Sequence, residues 1–114
     1  MIARKHRFHG YGSLRYVYQH GRTVRGSMTS LKFAPNTRRT SYRLAVVVSK
    51  KVNKSAVVRN RIRRRFYEVV RRHEAEILKP YDMVLTVFSD QMATISAAEL
   101  EQSVLDQLRQ ARII

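Results

Sequence analysis

Eight cationic side chains and no carboxylate fall between Lys50 and Arg65, in the run KKVNKSAVVRNRIRRR. Side chains of this kind bind anions rather than make bonds. A guanidinium forks onto two phosphate oxygens, and an ammonium supplies a compact point charge. Arg59, Arg61, Arg63, Arg64 and Arg65 crowd one stretch of predicted helix, where like charges three or four apart repel. Something outside the helix must compensate them, and phosphate is the natural candidate. A solvated basic face is the plainer reading. Glu68 is the only acid among residues 50–73, which rules out local ion pairing as the purpose.

Other chemistry finds little support. There is no cysteine, so disulfides and thiolate metal sites are excluded, as suits a reducing compartment. His6, His9, His20 and His73 show no metal-ligand spacing with acids, and residues 1–49 hold no carboxylate for a metal or a general base. Each histidine is read as a solvent or phosphate contact. No catalytic residue and no metal site is expected within the chain.

The whole-chain balance agrees. At 114 residues the chain fits one domain, taken as residues 1–114. A net charge of +15 exceeds what solubility requires and points to nucleic acid before membrane. Residues 1–49 carry ten Lys or Arg and no acid, residues 50–73 carry ten and one acid, and residues 74–114 carry three against seven acids. The first two stretches supply the binding field and the third is expected to be structural. No apolar run is long enough for a membrane span, and the N-terminus lacks a signal-peptide core, so a cytoplasmic protein is expected. A membrane-binding or calmodulin-type basic helix is disfavoured, because such segments are usually appendages and this one lies between two core strands.

The elements that must position these charges follow from periodicity. A short helix is predicted over 12–20, ended by Gly21. Residues 28–34 alternate, with Thr29, Leu31 and Phe33 on one face and Met28, Ser30 and Lys32 on the other. Residues 42–49 form a β-branched run fit for a central strand, with Leu44, Val46 and Val48 opposite Ala45 and Val47, and a hairpin between these two strands is expected. A long helix over 55–78, about 36 Å at 1.5 Å per residue, stops before Pro80. Its apolar stripe is Val58, Ile62, Phe66, Val69 and Val70. Residues 81–88 form a buried strand, and Ser96 with Glu99 makes a capping box for a last helix striped by Leu100, Val104, Leu108 and Ala111. The order gives an α+β sandwich in which strands 42–49 and 81–88 run parallel across a crossover, right-handed by default.

Ser49-Lys50-Lys51-Val52 leading into Ala56-Val57-Val58-Arg59-Asn60-Arg61-Ile62-Arg63-Arg64 resembles the signature of the bacterial ribonuclease P protein component. Arg7-Phe8, Val17-Tyr18 before Gly21, and Tyr81-Asp82-Met83-Val84 match in type and order, over nearly the whole chain. The resemblance implies a small mixed sheet of about four strands with three helices and a left-handed β-α-β crossover, against the default. It implies a subunit that binds the catalytic RNA of ribonuclease P and the 5′ leader of precursor tRNA, with no protein partner required. Cleavage would use Mg²⁺ held by the RNA. Carried over by position, Arg59, Asn60, Arg61, Arg63 and Arg64 would face the catalytic RNA. Phe8, Leu14, Tyr18 and Lys32 would line the leader cleft, with Lys50, Lys51 and Lys54 at its rim. Stacking and backbone contacts hold single strands with little sequence preference. Leu14 and Lys32 stand where the family usually has aromatics, so stacking is expected to be weaker and charge stronger. Core packing is the alternative role for Phe8 and Tyr18. A stand-alone or ribosomal-type RNA-binding protein is the alternative function.

Overall fold

The computed structural model describes residues 3–8 and 11–114. Helix α1 spans Tyr11–His20, strand β1 Arg22–Arg25, β2 Thr29–Pro35, β3 Arg43–Val48, helix α2 Ala56–Arg72, β4 Tyr81–Val87 and helix α3 Ala97–Gln110. Short 3₁₀ turns cover Arg4–His6, Glu74–Glu76 and Asp90–Ala93. The strands form one mixed sheet in the order β1-β2-β4-β3.

The expected pairing of β2 with β3 does not form. Strand β4 lies between them, antiparallel to β2 and parallel to β3, with Leu31 and Val46 both opposite Leu85. Residues 81–87 are buried along almost their whole length, which is why β4 takes a central place and the loop 36–42 cannot close a hairpin. The hairpin that does form is β1–β2, with Arg25 opposite Ser30. Strand β1 escapes sequence reading because it is four residues long, at an edge, and only Val24 is half-buried.

The alternation splits the sheet into two faces. Leu31, Phe33, Leu44, Val46, Met83, Leu85 and Val87 join the main core with the stripes of α2 and α3. At roughly 25 cal/mol per Å² of apolar surface, this face supplies most of the stabilisation from burial. Ala34, Ala45 and Val84 face the other way, under Phe8 and Val17. Small residues on that face let α1 sit close. At the end of α1, a Cβ on Gly21 would come within 2.5 Å of the Val17 carbonyl oxygen and 3.0 Å of that of Phe33, so only glycine fits.

Helix α2 starts as expected, the Ser55 hydroxyl accepting from the Val58 N–H at 3.4 Å. It ends at Arg72 rather than near Leu78, making it about 26 Å long. Tertiary partners override the local propensity: Ile77 turns into the core, and the Tyr42 hydroxyl donates to Glu74 at 2.7 Å. Ser96 caps α3 by accepting from the Glu99 N–H, and Leu100, Val104 and Leu108 are buried as predicted.

Strand β3, expected at the centre of the sheet, is an edge, and its β-branched run is buried because its free side is covered. The Phe8 N–H donates to Leu44 O at 3.2 Å, and the Val46 N–H donates to the Tyr67 hydroxyl at 3.3 Å.

Candidate nucleic-acid interface

The exposed face of α2 carries cations that the fold leaves without acidic partners. Arg61 and Arg64 are exposed. Among the described residues, Lys50, Lys51, Lys54, Arg59, Arg61, Arg63 and Arg64 have no carboxylate within 4.0 Å. Several acids elsewhere are engaged: Asp82 with Arg43, Glu68 with Arg71, Glu101 with His73, and Asp90 with Asn53. Glu68 does therefore take part in local pairing, and the Arg71 guanidinium, through its hydrogen bond, holds that carboxyl down to about 2. The pairing is confined to the last turns of α2.

Arginines on α2 divide by what they touch. Arg59 donates to the carbonyls of Asn53 and Lys54 at 3.0 and 2.9 Å, tying the helix start to the preceding loop. Arg63 donates to Asn60 Oδ1. Arg65 donates from Nη1 to Met92 O at 2.7 Å and from Nη2 to Ile95 O. Arg65, expected among the surface cations, is half-buried and anchors the loop before α3.

On the opposite layer, a cleft of about 280 Å³ opens between α1 and the sheet, lined by Tyr18, Arg25, Ser30, Lys32, Thr86 and Phe88. Tyr18 is 43% exposed. Lys32 Nζ donates to the Tyr18 carbonyl. Lys50, Lys51 and Lys54 are exposed in the loop leaving β3, joining this end of the sheet to the start of α2. Leu14 is half-buried against the small core. Phe8 is buried, with the Arg43 guanidinium 4.5 Å from its ring centroid. Its place is in the floor under α1, the core-packing alternative, and it offers no open ring face. Phe88, expected as the last residue of the buried strand 81–88, instead lies just past the end of β4 at Val87 and is 58% exposed at the cleft.

Larger cavities, of about 380 Å³ between α2 and α3 and about 440 Å³ beside α3, include Glu68 or Glu99 and Asp106 in their walls. Those carboxylates make them poorer hosts for phosphate.

Two histidines depart from the expectation of solvent or phosphate contacts. His6 is buried, stacks on Tyr42 with centroids 4.1 Å apart, and donates from Nδ1 to Tyr42 O at 2.9 Å. His73 bridges Glu101 at 2.7 Å and Glu76 at 3.0 Å. His20 is exposed beside Tyr16, and His9 lies outside the described residues. Among the described residues no cluster of three or more His, Asp or Glu could hold a metal ion, and no helix is long and apolar enough to cross a membrane.

The family model for Ribonuclease P matches residues 2–112. The ribonuclease P protein component of Roseiflexus castenholzii is 40% identical over 98 residues, covering 86% of this chain and 79% of its own. That of Chloroflexus aurantiacus is 36% identical over 99% of this chain and 82% of its own. The chain belongs to the ribonuclease P protein family. The fold agrees with this membership: the Staphylococcus aureus RNase P protein superposes with a TM-score of 0.84 at 23% identity, covering 95% of this chain and 96% of its own. The Thermotoga maritima RNase P protein gives 0.81 at 21% identity, covering 91% and 96%. As a member of this family the chain is a ribonuclease P component, an RNA-binding protein of tRNA processing.

Proposed function

We propose that this chain binds the catalytic RNA of ribonuclease P through the outer face of α2 and the 5′ leader of precursor tRNA through the cleft beside α1. It thereby assists endonucleolytic removal of the leader to give the mature tRNA 5′ end. The observation that carries the reading is the uncompensated cationic face of α2, whose leading loop runs to the lysines at the cleft end of the sheet. Arg61 and Arg64 can each fork onto a backbone phosphate, while Arg63 holds Asn60 beside them. Across the sheet, Tyr18 and Phe88 offer stacking surfaces, and Lys32 and Arg25 offer charge to the backbone of a single strand. Leu14 and Lys32 present no ring to a base, and Phe88 on the neighbouring strand end supplies one in their stead.

Phosphodiester hydrolysis belongs, on this reading, to the RNA and the Mg²⁺ it holds. This chain contributes affinity and the position of the leader. Cleavage of a precursor tRNA by the cognate RNA at low Mg²⁺, with and without this chain, tests the proposal. Stimulation is expected; its absence would leave only a stand-alone RNA-binding role.

A further inference from the structure

Helix α1 has two flanks, and the cleft occupies one of them. Tyr16 and Tyr18 lie two residues apart, which on a helix is about 200° of rotation, so they project to opposite sides. Tyr16 is 56% exposed and rests against His20 four residues on, with ring centroids 4.6 Å apart. It walls a second cavity of about 290 Å³ together with Asn36, Thr37, Arg38, Arg43 and Asp82.

The charge of this cavity suits an anion despite Asp82. That carboxylate is buried, takes Arg43 Nε and Nη2 at 2.8 and 2.7 Å, and accepts from Asn36 Nδ2 at 2.8 Å. It is neutralised and fully engaged. Arg38 is exposed at the wall, and residues 1–49, which supply all of the cavity except Asp82, include no acid. A histidine-backed aromatic beside an exposed guanidinium and several polar groups can hold one nucleotide, base on the ring and phosphate on the cation.

Sheet register says which RNA reaches it. Across the α1 face the rows run Ser30–Thr86–Val47, then Lys32–Val84–Ala45, then Ala34–Asp82–Arg43. The first row lies where β3 leaves for Lys50, and the last lies at the second cavity. A strand laid along this layer from the Lys50 end meets Tyr18 before Tyr16, about 13 Å farther along the sheet. The RNA-facing side of α2 is on the other layer. We infer that the Tyr16 flank of α1 is a second subsite for the leader, taking a nucleotide farther upstream than those in the Tyr18 cleft. The inference rests on the leader-binding function proposed above.

Dissociation constants test it, measured for the complex of this chain with its catalytic RNA and precursor tRNAs whose leaders lengthen one nucleotide at a time. The wild type should gain affinity in two separate increments. Tyr16→Ala should remove the outer increment, on the order of tenfold, and Arg38→Ala should reduce it. Both should leave short-leader precursors unchanged; Tyr16→Phe should keep the outer gain, and Tyr18→Ala should remove the inner one. A single increment in the wild type, an outer increment that survives Tyr16→Ala, or an equal loss on mature tRNA would each overturn the subsite. Wild-type affinity independent of any leader would overturn the leader-binding function itself. Unchanged thermal melting of the Tyr16→Ala protein separates a missing stacking surface from a damaged fold.

Discussion

The ammonium of Lys32 donates to the backbone carbonyl of Tyr18 at 2.9 Å and sits 5.6 Å from the centroid of the same residue's ring. One side chain of β2 thus satisfies a carbonyl in the last turn of α1 and holds an aromatic at the cleft. Tyr18→Ala should lower affinity for leader-bearing precursor about tenfold and leave mature tRNA binding unchanged. Lys32→Met should lose part of the same preference. The ratio of the two dissociation constants is the measurement, and equal losses on both RNAs would contradict the role.

Arg61 and Arg65 should fail differently when replaced. Arg61→Ala should leave melting unchanged, weaken catalytic-RNA binding, and make the slope of log affinity against log salt shallower by about 1. Arg65→Ala removes a charged donor from Met92 O and Ile95 O and should cost about 2 kcal/mol of stability in urea unfolding.

Asp82 and Arg43 form an ion pair with both side chains 7% exposed. Asp82→Ala leaves the guanidinium buried without its anion, at a cost of about 3–5 kcal/mol. It also frees Asn36, so the loop after β2 should lose protection from hydrogen exchange. An unfolding midpoint close to wild type would show that the pair contributes little.

His73 ties the end of α2 to α3. Hydrogen bonding to Glu101 first, and to Glu76, raises its pKa above the ordinary 6.5. A raised value means the charged ring stabilises the fold: the contribution is full below pH 6.5 and is lost as pH climbs through the higher folded-state value. The same contact lowers the Glu101 pKa from 4.5, so its share is present above that value and fades as acid is added. Urea midpoints across this range should fall on the alkaline side for the wild type, and His73→Gln should flatten that fall.

What the sequence reveals here depends on how local its causes are. The alternation in β2 and β3, the stripes of α2 and α3, the start of α2 at 55–56 and the cap at Ser96 act within a few residues and read correctly. The placement of β4 between β2 and β3 is a competition among distant strands, decided by burial on both faces of residues 81–87, and no nearby residue signals it. The early end of α2 depends on Tyr42 and Glu101, far away in the chain. In the site, exposed cations were legible as a set, but the difference between Arg61 and Arg65 rests on the carbonyls of Met92 and Ile95. Phe8 and Phe88 exchange expected roles for the same reason: depth under α1 is a property of packing.

Because β4 separates β2 from β3, the first two-thirds of the chain contains two pieces of sheet with no ladder between them. Residues 22–35 can close as a hairpin and residues 43–72 can form a strand and a helix. Their register is set only when residues 81–87 add to both. Assembly therefore waits on contacts between distant parts of the chain, which is the slow kind. Until then the two most cationic stretches remain in separate pieces, and a chain halted before residue 81 has the charges for RNA without the distance between them that would select one.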